Sequence, residues 1–287
     1  MNLDVDKTKT KIQELEKQGR LPKLAMLGGS VFLFPHPVKE LADFLKGYGM
    51  HVNYDAAHVA GLISGGEFQD PLREGVDTMT MSTHKTLFGP QGGLVLAFEK
   101  NAEVIKKATF PGLTSSHHIH HMAAKAIAFA EALEFGKDYA SQTVKNAKAL
   151  AVALNDSGFK VLGEKQGFTK SHQAVVNVLD YADGGKIEAD LEKANIIVNR
   201  QLVPGDLKAK RNYMHPSGIR LGTSEITRLG MKESEMQEVA SFIKQVIIDK
   251  KDAKEVAAKV ADFRKNYQKT QYCFDNKLGA YDYVKLR

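Results

Sequence analysis

Residues 51–62 read His51-Val52-Asn53-Tyr54-Asp55-Ala-Ala-His58-Val-Ala-Gly61-Leu62, and residues 80–90 read Thr80-Met-Ser-Thr83-His84-Lys85-Thr86-Leu-Phe-Gly89-Pro90. In the first stretch a short run, His51 to Asp55, predicts a strand that ends on a carboxylate. In the second, Asp77 to Met81 predicts another strand, running into Ser-Thr-His-Lys. Upstream, Leu24 to Leu27 predicts a buried strand ending in Gly28-Gly29-Ser30, and Val38 to Tyr48 a helix closed by Gly49. Gly93 to Phe98 predicts a further strand after a turn at Gly89-Pro90-Gln91-Gly92. Strands separated by helical crossovers imply a mostly parallel sheet in an α/β fold. Ser30, Asp55 and Lys85 then fall at or just past strand ends, where open α/β sheets collect their ligands.

Working outward, Ile12, Leu15 and Leu21 mark an opening helix stopped by Pro22. From His117 to Asp156 alanine and leucine at helical spacing predict a long connecting helix with a break around Gly136. Beyond it the texture changes. Val161-Leu162, Ala174–Leu179 and Ile196–Val198 predict short strands, with a helix at Lys186–Lys193 between the last two. Ser234 to Lys265 predicts amphipathic helix, and Tyr272, Phe274, Tyr281 and Tyr283 predict a tail ordered by its aromatics. The expected domains are 1–155, a large domain with a parallel-rich sheet, and 156–287, a smaller α+β domain.

The 287 residues carry a net charge of +6, from 40 Lys+Arg against 34 Asp+Glu, scattered along helices without aromatic interleaving. That pattern predicts a solvated surface and no nucleic-acid partner. A single cysteine, Cys273, excludes an intrachain disulfide framework and fits a reducing compartment. No apolar stretch approaches membrane-span length, and the charged N-terminus lacks a secretory apolar core. The expectation is a cytoplasmic protein with no membrane partner.

Taken alone, Asp55 reads equally as a helix cap or a satisfied loop residue, and Lys85 as one surface lysine among many. Taken together, an amine and an acid at neighbouring strand ends are what pyridoxal 5′-phosphate needs: a lysine for its imine and an aspartate against its ring nitrogen. A lysine buried at strand ends can have its pKa lowered to give the neutral amine that imine chemistry requires. The stretches DAAHVAGL (55–62), STHKTLFGP (82–90), TFPG (109–112) and SGIRLGT (217–223) resemble serine hydroxymethyltransferases, in matching order and spacing. The resemblance implies an aminotransferase-like fold-type-I large domain, incomplete here, followed by a small C-terminal domain. It implies Lys85 as the imine-forming lysine, Asp55 as the partner of the ring nitrogen, and His58 and Ser30 near the cofactor's phenolic oxygen. Thr83 and His84 resemble residues that help hold ring and phosphate. Arg220 aligns with the arginine that grips the substrate carboxylate, a role suited to a planar guanidinium.

The implied reaction is hydroxymethyl transfer between serine and glycine, with tetrahydrofolate or a related tetrahydropterin as co-substrate, in a homodimer. Three departures stand out. Gln91 replaces the arginine that usually follows Gly-Pro. Thr114-Ser115-Ser116-His117 replaces a glycine-rich run that in family dimers reaches the neighbouring cofactor's phosphate. Arg200-Gln201 replace a Lys-Asn pair near the pterin side, which puts the carrier in question. Family members also carry a substantial segment before the point where this chain starts. The chain then reads as an internal start, a gene fragment or one half of a split enzyme partnered by the missing N-terminal part. A folate-independent aldolase acting on β-hydroxy amino acids, and a noncatalytic subunit of the same fold, remain open beside the transferase. His117-His118-Ile-His120-His121 has i,i+3 and i,i+4 spacings that suit a metal but holds no acid or cysteine; no metal is expected. His172 and His215 read as neutral structural or loop histidines.

Overall fold

The computed structural model describes residues 2–275, 277 and 279–281. Tyr283, expected among the packed aromatics of the tail, lies outside the described residues. The chain divides into two compact units, residues 2–137 and 138–287, with the division inside one long helix.

The N-terminal unit contains α1 (Val5–Lys17), β1 (Leu24–Gly28), α2 (Val38–Gly47), β2 (His51–Asp55), α3 (Ala60–Ser64), β3 (Thr78–His84), β4 (Phe88–Ala97) and α4 (Ala102–Lys107). Its last element is the first half of α5 (Ile119–Asp156). The sheet order is β1-β2-β3-β4. The first three strands are parallel, with Gly28 opposite Asp55 and Asp55 opposite Thr80. Asp4 caps α1 by accepting from Lys7 N–H at 3.0 Å. α2 buries Val38, Leu41, Ala42 and Leu45, the i, i+3, i+4, i+7 stripe of an amphipathic helix, and packs on β2. It covers the sheet face that carries Val52, Tyr54 and Met79, all buried.

The opposite face is polar. His51 Nε2 lies 2.9 Å from Thr78 Oγ1, which donates to Asn53 Oδ1 at 2.8 Å; Asn53 Nδ2 in turn donates to Thr80 Oγ1 at 3.2 Å. This ladder runs across β2 and β3 towards Asp55.

β3 and β4 differ from expectation. They form an antiparallel hairpin with no helical crossover, and β4 starts at Phe88, so residues 89–92 belong to the strand and the turn is Lys85-Thr86-Leu87. Pro90 is tolerated because it falls in the register shift between the His84–Phe88 and Ser82–Gly93 pairs, where no ladder N–H is required of it.

The C-terminal unit contains the rest of α5, then β5 (Lys160–Val161), β6 (Gln173–Asn177), α6 (Gly184–Lys193), β7 (Asn199–Gln201), β8 (Gly218–Gly222), α7 (Ser224–Arg228), α8 (Glu235–Ile247) and α9 (Ala253–Arg264). Its antiparallel sheet has the order β5-β6-β8-β7. Leu150 and Leu154 of α5, Ile187 and Leu191 of α6, and Met236, Ile243 and Ile247 of α8 close a single core with Val176 and Ile219.

Three local expectations fail here and two elements were not foreseen. α5 runs unbroken through Gly136, because one glycine costs a helix about 1 kcal/mol and the flanking Ala, Leu and Phe outweigh it. The third strand sits at Asn199–Gln201 rather than Ile196–Val198, where it pairs with β8. The tail is two helices, since Asp252 caps a new one by accepting from Lys254 and Glu255 N–H. The unforeseen elements are the short helix α7 and β8, the central partner of both β6 and β7.

Candidate active site

Three loops meet at the carboxyl ends of β1, β2 and β3. The first is Gly28-Gly29-Ser30. A Cβ at Gly28 would lie 2.3 Å from the Asp55 carbonyl oxygen, so only glycine lets β1 close against the end of β2. Gly28 N–H donates to His36 Nδ1 at 3.2 Å, and His36 is held from behind by Gln69, which accepts from His36 N–H at 2.7 Å and donates to the His36 carbonyl at 3.1 Å. Tyr54 O–H donates to the same Gln69 oxygen at 2.8 Å. Burial lowers the His36 pKa; burial first, then the charges of Glu74 and Asp55, raises that of Tyr54.

The second loop follows Asp55. The half-buried carboxylate uses Oδ1 to accept the Ala57 N–H at 3.0 Å, a local turn closure, and among the described residues no cation pairs with it. His58 lies one step further on, also half-buried.

The third loop is the hairpin turn, with Lys85 at its first position. Its side chain is exposed and has no hydrogen bond or ion pair among the described residues. Thr83 is fully buried, with its hydroxyl donating to the Pro90 carbonyl at 2.7 Å. His84 is exposed, and its Nδ1 accepts Gly92 N–H at 3.4 Å.

Thr86, which sequence reasoning did not single out, joins the second loop to the third. Its buried hydroxyl donates to the His58 carbonyl at 2.9 Å and accepts from Gly61 N–H at 3.0 Å. The approach is close: a Cβ at Gly61 would stand 2.0 Å from the Thr86 carbonyl oxygen. The residue next to Lys85 is thereby fixed to the loop that carries Asp55 and His58. The only sequence signal was the adjacency of Thr86 to the lysine and of Gly61 to the histidine loop.

The structure therefore brings Ser30, Asp55, His58, Thr83, His84 and Lys85 to one end of one sheet. Arg220 lies in the C-terminal unit, half-buried on β8 between Val175 of β6 and Asn199 of β7. It donates to Asn199 Oδ1 at 3.2 Å, and burial lowers its pKa from the ordinary guanidinium value, which still leaves it charged. Arg200 pairs with Glu188 through its side chain, its backbone N–H donates to Glu188 Oε1 at 3.2 Å, and Nη1 reaches the Met214 carbonyl at 3.4 Å. His172 is buried beside β6, and His215 is exposed, 3.6 Å from Asp183. The rings of His118, His120 and His121 meet at tilted to edge-on angles, and among the described residues no group of three His, Cys, Asp or Glu side chains is arranged to hold a metal. No helix among them is long and apolar enough to cross a membrane.

The family model for serine hydroxymethyltransferase matches residues 1–243. A serine hydroxymethyltransferase of Nitrosopumilus maritimus is 77% identical over the whole chain, and one of Pyrococcus furiosus is 56% identical over 96% of it. The chain spans 65% and 64% of the length of these relatives. A crystal structure of L-threonine transaldolase from Pseudomonas fluorescens, in its internal aldimine state, superposes with a TM-score of 0.85 at 30% identity, covering 97% of this chain and 62% of that one. The α/β architecture is that of this fold class, and the chain belongs to the serine hydroxymethyltransferase family.

Proposed function

We propose that this chain serves a pyridoxal 5′-phosphate-dependent hydroxymethyltransferase that interconverts serine and glycine with tetrahydrofolate or a related tetrahydropterin. The observation that carries the reading is the in-register row Gly28–Asp55–Thr80, with the Lys85 turn stapled to the same sheet end by Thr86.

The residues fit the cofactor. A carboxylate and an amine, neither in an ion pair among the described residues, stand at neighbouring strand ends, and Gly28 lets β1 end directly against the backbone of Asp55. When bound, that group supplies an aldehyde for imine formation and an electron-withdrawing ring for the substrate's α-carbon. Lys85 provides the amine. Asp55 holds a proton at the ring nitrogen, a charge-assisted contact made strong by partial burial. His58 and Ser30 serve the phenolic oxygen, while Thr83 and His84 hold the ring and phosphate. Arg220 receives the substrate carboxylate on two parallel N–H donors.

In the same reading residues 1–155 form the partial cofactor domain and 156–287 the small domain. The working enzyme is a cytoplasmic homodimer, completed by the part of the family's length that this chain does not span.

A carrier-independent aldolase is the second reading. It is favoured by the threonine transaldolase likeness and by the engagement of Arg200 with Glu188, which takes up a cation in the segment expected on the pterin side. Glycine formation from serine, measured with and without tetrahydrofolate, separates the two. Carrier-dependent turnover is expected, and equal rates overturn the transferase in favour of the aldolase. If no imine forms at Lys85, both give way to the noncatalytic subunit.

A further inference from the structure

His84 stands at the end of β3, and its orientation is set by a segment of β4. Gly92 N–H points at its Nδ1, 3.4 Å away. A neutral imidazole carries one donor and one acceptor, so a ring that accepts at Nδ1 holds its proton on Nε2. The direction of the Gly92 N–H depends on what fixes residues 90–93. Two contacts do so. Thr83 O–H donates to the Pro90 carbonyl at 2.7 Å, and Lys125, from the first half of α5, brings its ammonium to 3.5 Å from the Gly93 carbonyl.

Lys125 reaches that carbonyl through space that only glycine leaves open. A Cβ at position 92 would lie 2.4 Å from Lys125 Nζ, 2.6 Å from its Cε and 3.2 Å from Thr83 Oγ1. Lys125 is half-buried and has no carboxylate partner among the described residues. A lysine so placed, with its charge spent on a backbone carbonyl, calls for an explanation other than a surface ion pair.

We infer that Lys125, admitted by Gly92, is a positioning residue that holds the 90–93 segment so that His84 is locked with its proton on Nε2, offered to an anionic oxygen. On the function proposed above, on which the identity of the anion rests, that oxygen belongs to the cofactor's phosphate. Gly92 and Lys125 act through His84 and need touch no ligand.

The lock is read directly by long-range ¹H–¹⁵N correlation of the histidine side chains in the full chain, with His84 assigned by comparison with His84→Gln. The wild type is expected to show the Nε2–H form. Lys125→Met and Gly92→Ala, the second of which expels the ammonium while keeping the lysine, are both expected to shift His84 to a mixture of tautomers. Lys125→Arg restores the single form. An Nδ1–H tautomer in the wild type, or an unchanged His84 in both variants, overturns the inference.

A second arm compares pyridoxal 5′-phosphate with pyridoxal by absorbance titration. Lys125→Met should weaken the phosphorylated ligand about tenfold, the loss of roughly one charge-assisted hydrogen bond, and leave pyridoxal unchanged. Equal weakening of both ligands would show that His84 is not presented to the phosphate. The tautomer signal needs no cofactor, so a chain that binds no pyridoxal phosphate at all defeats the proposed function while the lock is still decided by the first arm.

Discussion

The two units spend their sequence differently. The C-terminal unit closes one core, in which leucine, isoleucine and valine from α5, α6, α8 and α9 meet one antiparallel sheet. The N-terminal unit packs α2 on one face of its parallel sheet and carries a hydrogen-bonded polar ladder on the other, flanked by Leu24 and Met26, which are 52% and 60% exposed among the described residues. Parallel sheets usually bury both faces. A sheet that lines one face with paired hydroxyls and amides and leads them to a carboxylate without a cation partner among the described residues is arranged for chemistry, whereas the closed core is arranged for stability.

That contrast can be broken by experiment. Leu154→Ala in the closed core is expected to cost about 2–5 kcal/mol in urea denaturation, while Met26→Ser on the open face should change stability by no more than about 0.5 kcal/mol. Comparable losses would show that the open face carries as much of the fold as the core. Next in size is Gly61→Ala. Its Cβ meets backbone at Thr86, which cannot step aside as a side chain can, so a cost of about 1–3 kcal/mol and loss of the cofactor adduct at Lys85 are expected together. If stability falls while adduct formation is kept, the staple is structural alone. Thr86→Val keeps the shape but leaves the His58 carbonyl and Gly61 N–H unmatched, for about 1–3 kcal/mol, and Thr86→Ser should recover most of it.

The smallest expected effect is one of pH. The folded state lowers the His36 pKa by burial, so the unfolded chain binds this proton more readily. The stability that a neutral His36 contributes is therefore complete above its ordinary value of about 6.5 and declines as pH falls through and below it. Urea midpoints measured across that window should drop more steeply for the wild type than for His36→Asn, whose amide oxygen can still accept the Gly28 N–H. Parallel curves would place the pH dependence elsewhere.

In the N-terminal unit β1 and β2 were legible because each is a short run stopped by a glycine or an acid, and β2 is found where His51 to Asp55 predicts it. The C-terminal unit was less so. β8 is Gly-Ile-Arg-Leu-Gly, a strand with glycine at both ends and a charge at its centre, which no apolar count detects. It is a strand because Gly218 lets it lie between β6 and β7: a Cβ there would stand 2.9 Å from the Gln201 carbonyl oxygen of β7 and 3.0 Å from the Val176 carbonyl oxygen of β6. The tail held a readable signal that periodicity masked, since Asp252 and Glu255 have the spacing of a helix start. For the candidate site, residue types at strand ends pointed to Asp55 and Lys85. The contacts of Thr86, Gly92 and Lys125 were invisible, because they depend on how a hairpin turn and a distant helix fold back on those ends.

The account rests on Lys85 and Asp55 serving one pyridine ring. The most direct measurement is borohydride trapping of the full chain with pyridoxal 5′-phosphate, followed by peptide mass mapping, in the wild type, Lys85→Ala and Asp55→Ala. The account predicts a reduced adduct on the peptide containing Lys85, absent in Lys85→Ala and formed only at much higher cofactor concentration in Asp55→Ala. An adduct spread over other lysines, or one on Lys85 whose concentration dependence ignores residue 55, would contradict it.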